Sequence, residues 1–286
     1  MSDTGAQANA AQIDYWNNEA GPRWVAMQER MDAMLAPLLQ VALERARPVA
    51  GETVLDIGCG CGASLLELAA RVGPSGSVLG VDISAPMLDR ARTRVHDTPV
   101  TNVRLTLSDA ATHGFEPGAF DLAFSRFGVM FFDDPPAAFA NIRSALAPTG
   151  RLVFVCWAPP QDNPWLTVPL AAARPHLPAQ PESDPNAPGP FAFADPGRVR
   201  GILLSAGFSA VDVARHGTVM RICGPGESEA AARFAVESGP VARVLAAAGP
   251  DQRAAAEQAI AAEFRRLESP DGVELPGSVW LVSARP

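Results

Sequence analysis

Between Ile13 and about Arg47, apolar residues recur at mixed three- and four-residue steps: Tyr15, Trp16, Trp24, Met27, Met31, Met34, Leu35, Leu38, Leu39 and Leu43. That period predicts helix, and Gly21-Pro22 predicts a break, so two helical pieces precede the first strand. Residues 1–12 are expected to be a frayed tail. The period then changes. Short apolar runs at Thr53–Ile57, Ser77–Val81, Val103–Leu107, Phe120–Ser125 and Arg151–Trp157 predict strands, and helical runs at Ala63–Val72, Ala85–Val95 and Pro135–Leu146 separate them. Proline opens the last of these helices, and Pro148-Thr149-Gly150 stops it. Such alternation predicts βαβ units in an α/β fold, a doubly wound, mostly parallel sheet buried on both faces.

Beyond Trp157 the pattern is different. Eleven prolines fall between Pro159 and Pro196, which predicts a long irregular segment. It is expected to be a cover, because Trp165, Leu170, Phe191 and Phe193 give it something to bury. Asp195-Pro196 caps a helix running to Ala206; Phe208–Ala214 and Thr218–Ile222 read as strands. Residues 226–268 read as helices broken at Gly239-Pro240 and Gly249-Pro250, and Val279–Ser283 as a final strand. The expected organisation is an N-terminal helical segment (1–50), an α/β core (51–157), a proline-rich cap (158–194) and a C-terminal part of the core (195–286) with a helical insertion at about 226–268.

Composition narrows the chemistry. The chain has 286 residues, 48% apolar and 19% charged, enough to bury a sizeable core. Its net charge of −8 disfavours a phosphate-tracking surface, so no nucleic-acid partner is expected. All 23 basic residues are arginine, which removes Schiff-base lysines, a phosphate-loop lysine and lysine general bases together. No apolar run approaches a membrane span and no signal peptide is visible, so a cytoplasmic protein without membrane attachment is expected. Cys59, Cys61, Cys156 and Cys223 show neither a disulfide framework nor metal-ligand spacing, and no metal is expected.

The informative segment is Val54-Leu55-Asp56-Ile57-Gly58-Cys59-Gly60-Cys61-Gly62. A strand feeds a turn of alternating glycines, which opens a helix. Gly58-x-Gly60-x-x-Ala63 also satisfies the loose dinucleotide pattern, so glycines alone leave the ligand open. Asp56 narrows it, because a carboxylate at the loop would repel a pyrophosphate and suits a cationic ligand. Asp82, 26 residues later at the tip of the second strand, can accept both hydroxyls of a ribose. Asp109 in Ser108-Asp109-Ala110 stands just past the third strand, where an adenine edge could lie. Three acids at successive strand ends line the edge where open α/β sheets bind ligands.

With Val81-Asp82-Ile83-Ser84, Met87-Leu88, Phe120-Asp121-Leu122-Ala123-Phe124-Ser125 and Leu146-Ala147-Pro148-Thr149-Gly150-Arg151-Leu152, these motifs resemble the class I S-adenosylmethionine-dependent methyltransferases. The likeness is to the small-molecule type with a ubiquinone- or menaquinone-methyltransferase-like core, and it covers about residues 50–157. It implies a Rossmann-like methyltransferase fold with S-adenosylmethionine as cofactor and S-adenosylhomocysteine as product. Asp56, Gly58, Cys59, Gly60 and Gly62 would then hold the methionine part and Asp82 the ribose. Ile83 and Met87 would lie against the adenine, Asp109 and Ala110 would read its edge, and Ser125 or Arg126 would close the site. In such relatives an N-terminal helix often folds over the cofactor, so residues 1–50 would be a lid, with Tyr15 and Trp24 near the sulfonium.

Methyl transfer from a sulfonium needs a base only if the acceptor must lose a proton. Among His96, His113, His176 and His216, His113 follows the adenine loop and is the first candidate; Tyr15 is the other catalytic candidate. Phe127, Met130, Phe131, Trp165 and Phe191 are candidates for an apolar pocket, which suggests a small, largely apolar acceptor methylated on O, N or C. Asp134-Pro135-Pro136-Ala137 resembles the loop of methyltransferases acting on base or amide nitrogens, but lies too far past the fourth strand. Three alternatives stand at this point: a protein binding S-adenosylmethionine without transferring methyl, a nicotinamide-dependent oxidoreductase, and a scaffold on a dead fold. The oligomeric state, a homodimer included, is not legible.

Overall fold

In the computed structural model, which describes residues 9–177 and 184–286, the apolar runs form Thr53–Ile57 (β1), Ser77–Asp82 (β2), Val103–Leu107 (β3), Phe120–Arg126 (β4), Leu146–Trp157 (β5), Ser209–Cys223 (β6) and Val273–Arg285 (β7). They make one sheet of order β3-β2-β1-β4-β5-β7-β6, in which β1 pairs parallel with β2 and β4, β2 with β3, and β4 with β5. The sheet has seven strands and is mostly parallel, the latter as expected. Its connections reverse direction between β1 and β4, the position at which such sheets leave a crevice beyond the carboxyl ends of the strands.

The helices, in chain order, are Ala10–Asn18 (α1), Ala20–Ala26 (α2), Gln28–Ala46 (α3), Ala63–Val72 (α4), Ala85–His96 (α5), Pro135–Ala145 (α6), Pro164–Ala173 (α7), Pro196–Ser205 (α8), Ser228–Glu237 (α9), Gly239–Leu245 (α10) and Pro250–Leu267 (α11). Asp134 caps α6 by accepting from the Ala137 N–H, so its motif is a helix start. The chain divides into two compact units. One comprises residues 1–156, 195–215 and 280–286; the other comprises 157–194 and 216–279. Phe139 centres the first unit's core, fully buried and stacked on Phe154 at 5.5 Å. In the second unit α11 packs on α9 and α7, and Asn163, also fully buried, binds the Ala158 and Ser278 carbonyls and the Ser278 N–H.

Several expectations change in detail. Residues 1–8 of the expected tail and 178–183 of the proline-rich segment lie outside the described residues. The tail does not extend to 12, because α1 begins at Ala10 and Asn9 is buried against Asp109. The proline-rich segment is not wholly irregular: Pro164 stands at the start of α7, where a missing N–H costs nothing. Residues 209–223 form one strand rather than two, with His216 inside it. Gly217 stays extended there because β6 is an edge strand. β7 is longer than its apolar run predicts. At Gly277 an added Cβ would stand 2.7 Å from Met220 Cγ, so β6 approaches β7 closely there.

The N-terminal helices are fixed to the turn after β2. Asn17 donates from Nδ2 to the Ile83 carbonyl and accepts the Ala85 N–H at Oδ1, both at 2.9 Å. Ser84 donates its hydroxyl to the Trp16 carbonyl at 2.8 Å. Gly21 permits this approach: an added Cβ would overlap the Trp16 carbonyl oxygen and stand 2.5 Å from Ser84 Oγ. Gly21→Ala should therefore detach α1 and α2 at a cost of about 1–3 kcal/mol while leaving the sheet folded. Hydrogen exchange reads this directly: the Ala85 amide should lose protection and the β1 amides should keep theirs. Unchanged protection at Ala85 would contradict the docking.

Candidate active site

The loop after β1 crosses over with positive φ at Gly58 (65°), Gly60 (53°) and Gly62 (86°), a conformation only glycine adopts without strain. It is tied to β2: the Gly58 and Cys59 N–H groups donate to the Val81 carbonyl, and the Gly60 N–H donates to Asp82 Oδ2 at 2.8 Å. The turn after β4 closes on the loop's other side. A Cβ on Gly58 would stand 2.8 Å from Gly128 Cα. Ser125 is fully buried and holds this junction, donating to the Ile57 carbonyl and accepting the Gly128 N–H. Phe127, buried between them, has φ 62°, a strained value for a bulky residue.

Asp56 ends β1 with its side chain fully buried. Ser64 of α4 donates to Oδ2 at 2.7 Å, and Oδ1 has no partner. Burial pushes its carboxyl up to about 7, against the opposing pull of the Ser64 hydrogen bond and the nearby Arg126 guanidinium. Arg126 ends β4, and burial lowers its proton affinity against the pull of Asp32 and Asp56. Its Nη2 is 3.5 Å from Asp32 Oδ1, while Nη1 is buried without a partner. Asp32, from α3, is shared: its Oδ2 takes Arg94 at 2.9 Å and the Gln28 amide at 2.6 Å. Arg94 in turn holds the Cys61 carbonyl at 2.7 Å, and Arg90 reaches Gln28 Oε1. A charged lattice from α3, α5 and β4 thereby braces the glycine loop.

Asp82 accepts the Gly60 N–H on one oxygen and the Ser84 N–H on the other, which leaves further lone pairs for ribose hydroxyls. Burial raises its pKa despite these bonds. Ile83 lies beside it, and Met87, 5% exposed, would have its Cε 2.9 Å from a Cβ on Gly60. Asp109 makes a turn by accepting the Ala111 N–H on Oδ1, and its Oδ2 accepts from Asn9 at 2.9 Å. Ala110 is buried and gives its carbonyl to Asn141. Cys59 is buried with its thiol pushed up by burial, so it stays neutral and offers only its backbone. Asp56, Asp82, Asp109 and the glycine loop therefore come together along one edge.

His113 stands one turn beyond Asp109, and its N–H donates to the Asp109 carbonyl at 2.8 Å. Its Nδ1 is 2.8 Å from Ser108 Oγ, and its ring meets Phe115 at 4.7 Å, which in turn meets Phe120 at 6.1 Å. Phe120 begins β4, six residues and about 20 Å of strand from Arg126 at the other end. Tyr15 and Trp24 form an aromatic group with Trp16 (ring centroids at 5.8 and 6.2 Å), and Trp16 meets Phe131 at 5.1 Å just past β4. Met130, 1% exposed, is a core residue, so the apolar surface here belongs to Phe131. Trp165 and Phe191 are half-buried in the second unit, where Trp165 packs on Trp157 at 4.9 Å and donates to Asn163. Sequence reasoning missed Asp32, Gln28, Ser64, Asn17 and Gly128. Only Asp32, four residues after Gln28 on one helix face, left a trace in the pattern.

A parallel sheet with a glycine crossover at its reversal point, and acids after three adjacent strands, defines a protein built to hold a nucleoside-bearing cation. The comparisons agree. A methyltransferase-domain family model matches residues 54–150. The aklanonic acid methyltransferase of Streptomyces sp. (strain C5) is 35% identical over 153 residues, covering 50% of this chain and 68% of that protein. The nocamycin O-methyltransferase of Saccharothrix syringae is 32% identical over 190 residues, covering 61% of this chain and 65% of that protein. Among solved structures, the YcgJ protein of Bacillus subtilis superposes with a TM-score of 0.57 at 18% identity, covering 86% of this chain and 97% of that one. The chain belongs to the class I S-adenosylmethionine-dependent methyltransferases, and S-adenosylmethionine is its cofactor. That membership decides against hydride transfer and a dead scaffold. No helix among the described residues is long and apolar enough to cross a membrane.

The unpartnered Asp56 oxygen fits the cofactor's ammonium group, and the glycine loop admits its chain. Binding should then be pH-dependent. Asp56 is protonated below about pH 7 in the free protein and must ionise to hold an ammonium, so affinity should rise as pH increases through about 7 and then level off. The same raised pKa makes the free protein less stable as pH climbs from about 4 to about 7, because the folded form holds the extra proton. Calorimetry of S-adenosylhomocysteine binding in buffers of different ionisation enthalpy should detect release of a proton near pH 6.5, absent in Asp56→Asn. A pH-independent affinity with no proton release would contradict this role.

Proposed function

We propose that the protein moves the methyl group of S-adenosylmethionine to an oxygen of a small, largely apolar acceptor whose oxygen ionises on its own, such as a carboxylic acid, phenol or enol. The observation that carries this reading is the aromatic group of Tyr15, Trp16, Trp24 and Phe131 just past β4, on the edge that also carries Asp56 and Arg126. Aromatic faces give an apolar ring its contact area and hold a nearby sulfonium by cation–π attraction. The relatives support an oxygen acceptor, one being named for an acid and the other as an O-methyltransferase.

The bound cofactor supplies an activated methyl group on a sulfonium. The chain's part is placement. Asp56 orients the ammonium end and Asp82 the ribose, while Ile83 and Met87 offer the adenine an apolar face. Asp109, itself steadied by Asn9, would read the adenine edge beside Ala110. Tyr15 and Trp24 lie in the aromatic group as contacts rather than bases, and Phe127 would add apolar surface for the acceptor. Holding donor and acceptor in line and dry supplies most of the acceleration for such a displacement. His113 is engaged by Ser108, and this reading assigns it no part in the step. The net charge of −8 supports a small molecule over a nucleic acid as acceptor, and a homodimer would fit the same reading.

Turnover assays with panels of aromatic acids, phenols and amines test this. Methyl should appear on acid or phenol oxygens. His113→Gln should keep kcat within about threefold, whereas Asp82→Ala should weaken cofactor binding by ~1–3 kcal/mol. Methylation confined to amines, or loss of turnover in His113→Gln, would contradict the reading.

A further inference from the structure

The last peptide of the glycine crossover, between Cys61 and Gly62, is held at both ends. Its N–H donates to the Cys59 carbonyl at 2.9 Å, and its carbonyl accepts from Arg94 Nη1 of α5 at 2.7 Å. The first turn of α4 closes on the Gly62 carbonyl instead, through the Leu66 N–H at 3.1 Å. Arg94 is a long side chain with much rotamer freedom to lose, and Asp32 of α3 supplies the attraction that holds it. The same Nη1 stands 2.9 Å from Asp32 Oδ2, so the nitrogen's two hydrogens bridge the loop carbonyl and the carboxylate. Asp32 is itself aimed. Gln28, one turn earlier and 5% exposed, donates to Oδ2 at 2.6 Å, and its Oε1 takes Arg90 Nε at 3.1 Å and Nη2 at 3.0 Å. Gln28 and Asp32 on one helix thus meet Arg90 and Arg94, spaced alike on another.

We propose that Asp32 is a positioning residue for cofactor binding: through the Arg94 bridge it sets the plane of the Cys61–Gly62 peptide, and with it the shape of the loop that receives the cofactor. This rests on the cofactor reading above and adds to it a residue of α3 that never touches the ligand. A charge is needed at that place. Asp32 and Arg94 are 18% and 22% exposed, so their attraction is little screened, and charge-assisted hydrogen bonds are the strong ones. With a neutral amide at position 32 the guanidinium loses its anchor and the Cys61 carbonyl its fixed donor. The peptide then turns more freely about Gly62, whose φ of 86° no Cβ constrains. The cost falls on binding, because the ligand must order the loop itself. Asp32 also stands 3.5 Å from Arg126, a contact that Arg94→Gln leaves in place, so that variant isolates the bridge.

Calorimetry on the full chain with two probes tests the assignment: S-adenosylhomocysteine, and 5′-methylthioadenosine, which lacks the amino-acid end. Asp32→Asn and Arg94→Gln should each weaken S-adenosylhomocysteine by about 5- to 30-fold, the scale of one charge-assisted hydrogen bond. Each should weaken 5′-methylthioadenosine by less than about threefold, because that probe lacks the part laid against the loop. The double variant should bind no worse than the weaker single, since both changes break one bridge, and Asp32→Glu should recover part of the affinity. In the free variants the Gly62 amide should exchange faster while the β1 amides keep their protection. Arg94→Gln carries the test if Asp32→Asn does not fold. Equal weakening of both probes would make the pair merely structural and overturn the proposal. Additive losses in the double variant would overturn it too, because the two residues would then act separately. If wild type binds S-adenosylhomocysteine and both single variants bind it equally well, the proposal fails while the cofactor reading stands. If wild type binds neither probe, the cofactor reading fails and takes the proposal with it.

Discussion

A carboxylate buried at the end of β1, with one oxygen left without a protein partner, is the constraint around which the rest of this protein is arranged. Asp56 Oδ1 costs the empty protein the desolvation of an unpartnered acceptor, about 1–3 kcal/mol. Several neighbours limit that cost without removing it. Ser64 satisfies the other oxygen from the first turn of α4, and Arg126 tempers the charge from the next strand. The glycine crossover then brings backbone rather than side chains to the same place. A strain that a ligand relieves becomes binding energy.

The second constraint is how the N-terminal helices hold the turn after β2, beside Asp82. Asn17 brackets Ser84 from both sides through the Ile83 carbonyl and the Ala85 N–H, and Ser84 returns a bond to Trp16. Asn9 does the same for Asp109. The aromatic group of Trp16, Trp24 and Phe131 is thereby set by the same bonds that order Asp82 and Asp109. The acids after β2 and β3 and the aromatic group are one assembly, and loosening α1 would disturb both.

Much of this was legible along the chain. The change from helical period to short apolar runs at Thr53 gives the parallel sheet, because strands buried on both faces must be apolar throughout. Asp56, the glycines and Asp82 are legible because each sits at a strand end where few residue types serve. Ser125 looked like a ligand contact by position, yet its hydroxyl ties β1 to the turn after β4, a role set by a close approach of Gly58 and Gly128 that no local pattern encodes. His113 looked close to the chemistry by sequence distance. Its N–H does bond the Asp109 carbonyl, while its ring meets Phe115. Asp32 was invisible because its partners, Arg94 and Arg126, lie 62 and 94 residues away and meet only once α3 packs on the sheet. Prolines misled in the other direction: Pro164 reads as a breaker but begins α7.

The most direct test of the account is the crystal structure of the protein with S-adenosylhomocysteine. The account predicts the ligand's ammonium within hydrogen-bond distance of Asp56 Oδ1 and its ribose hydroxyls on Asp82, with the glycine crossover unchanged. A bound ligand that leaves Asp56 Oδ1 dry and unpartnered would contradict it, and the buried carboxylate would then need another explanation.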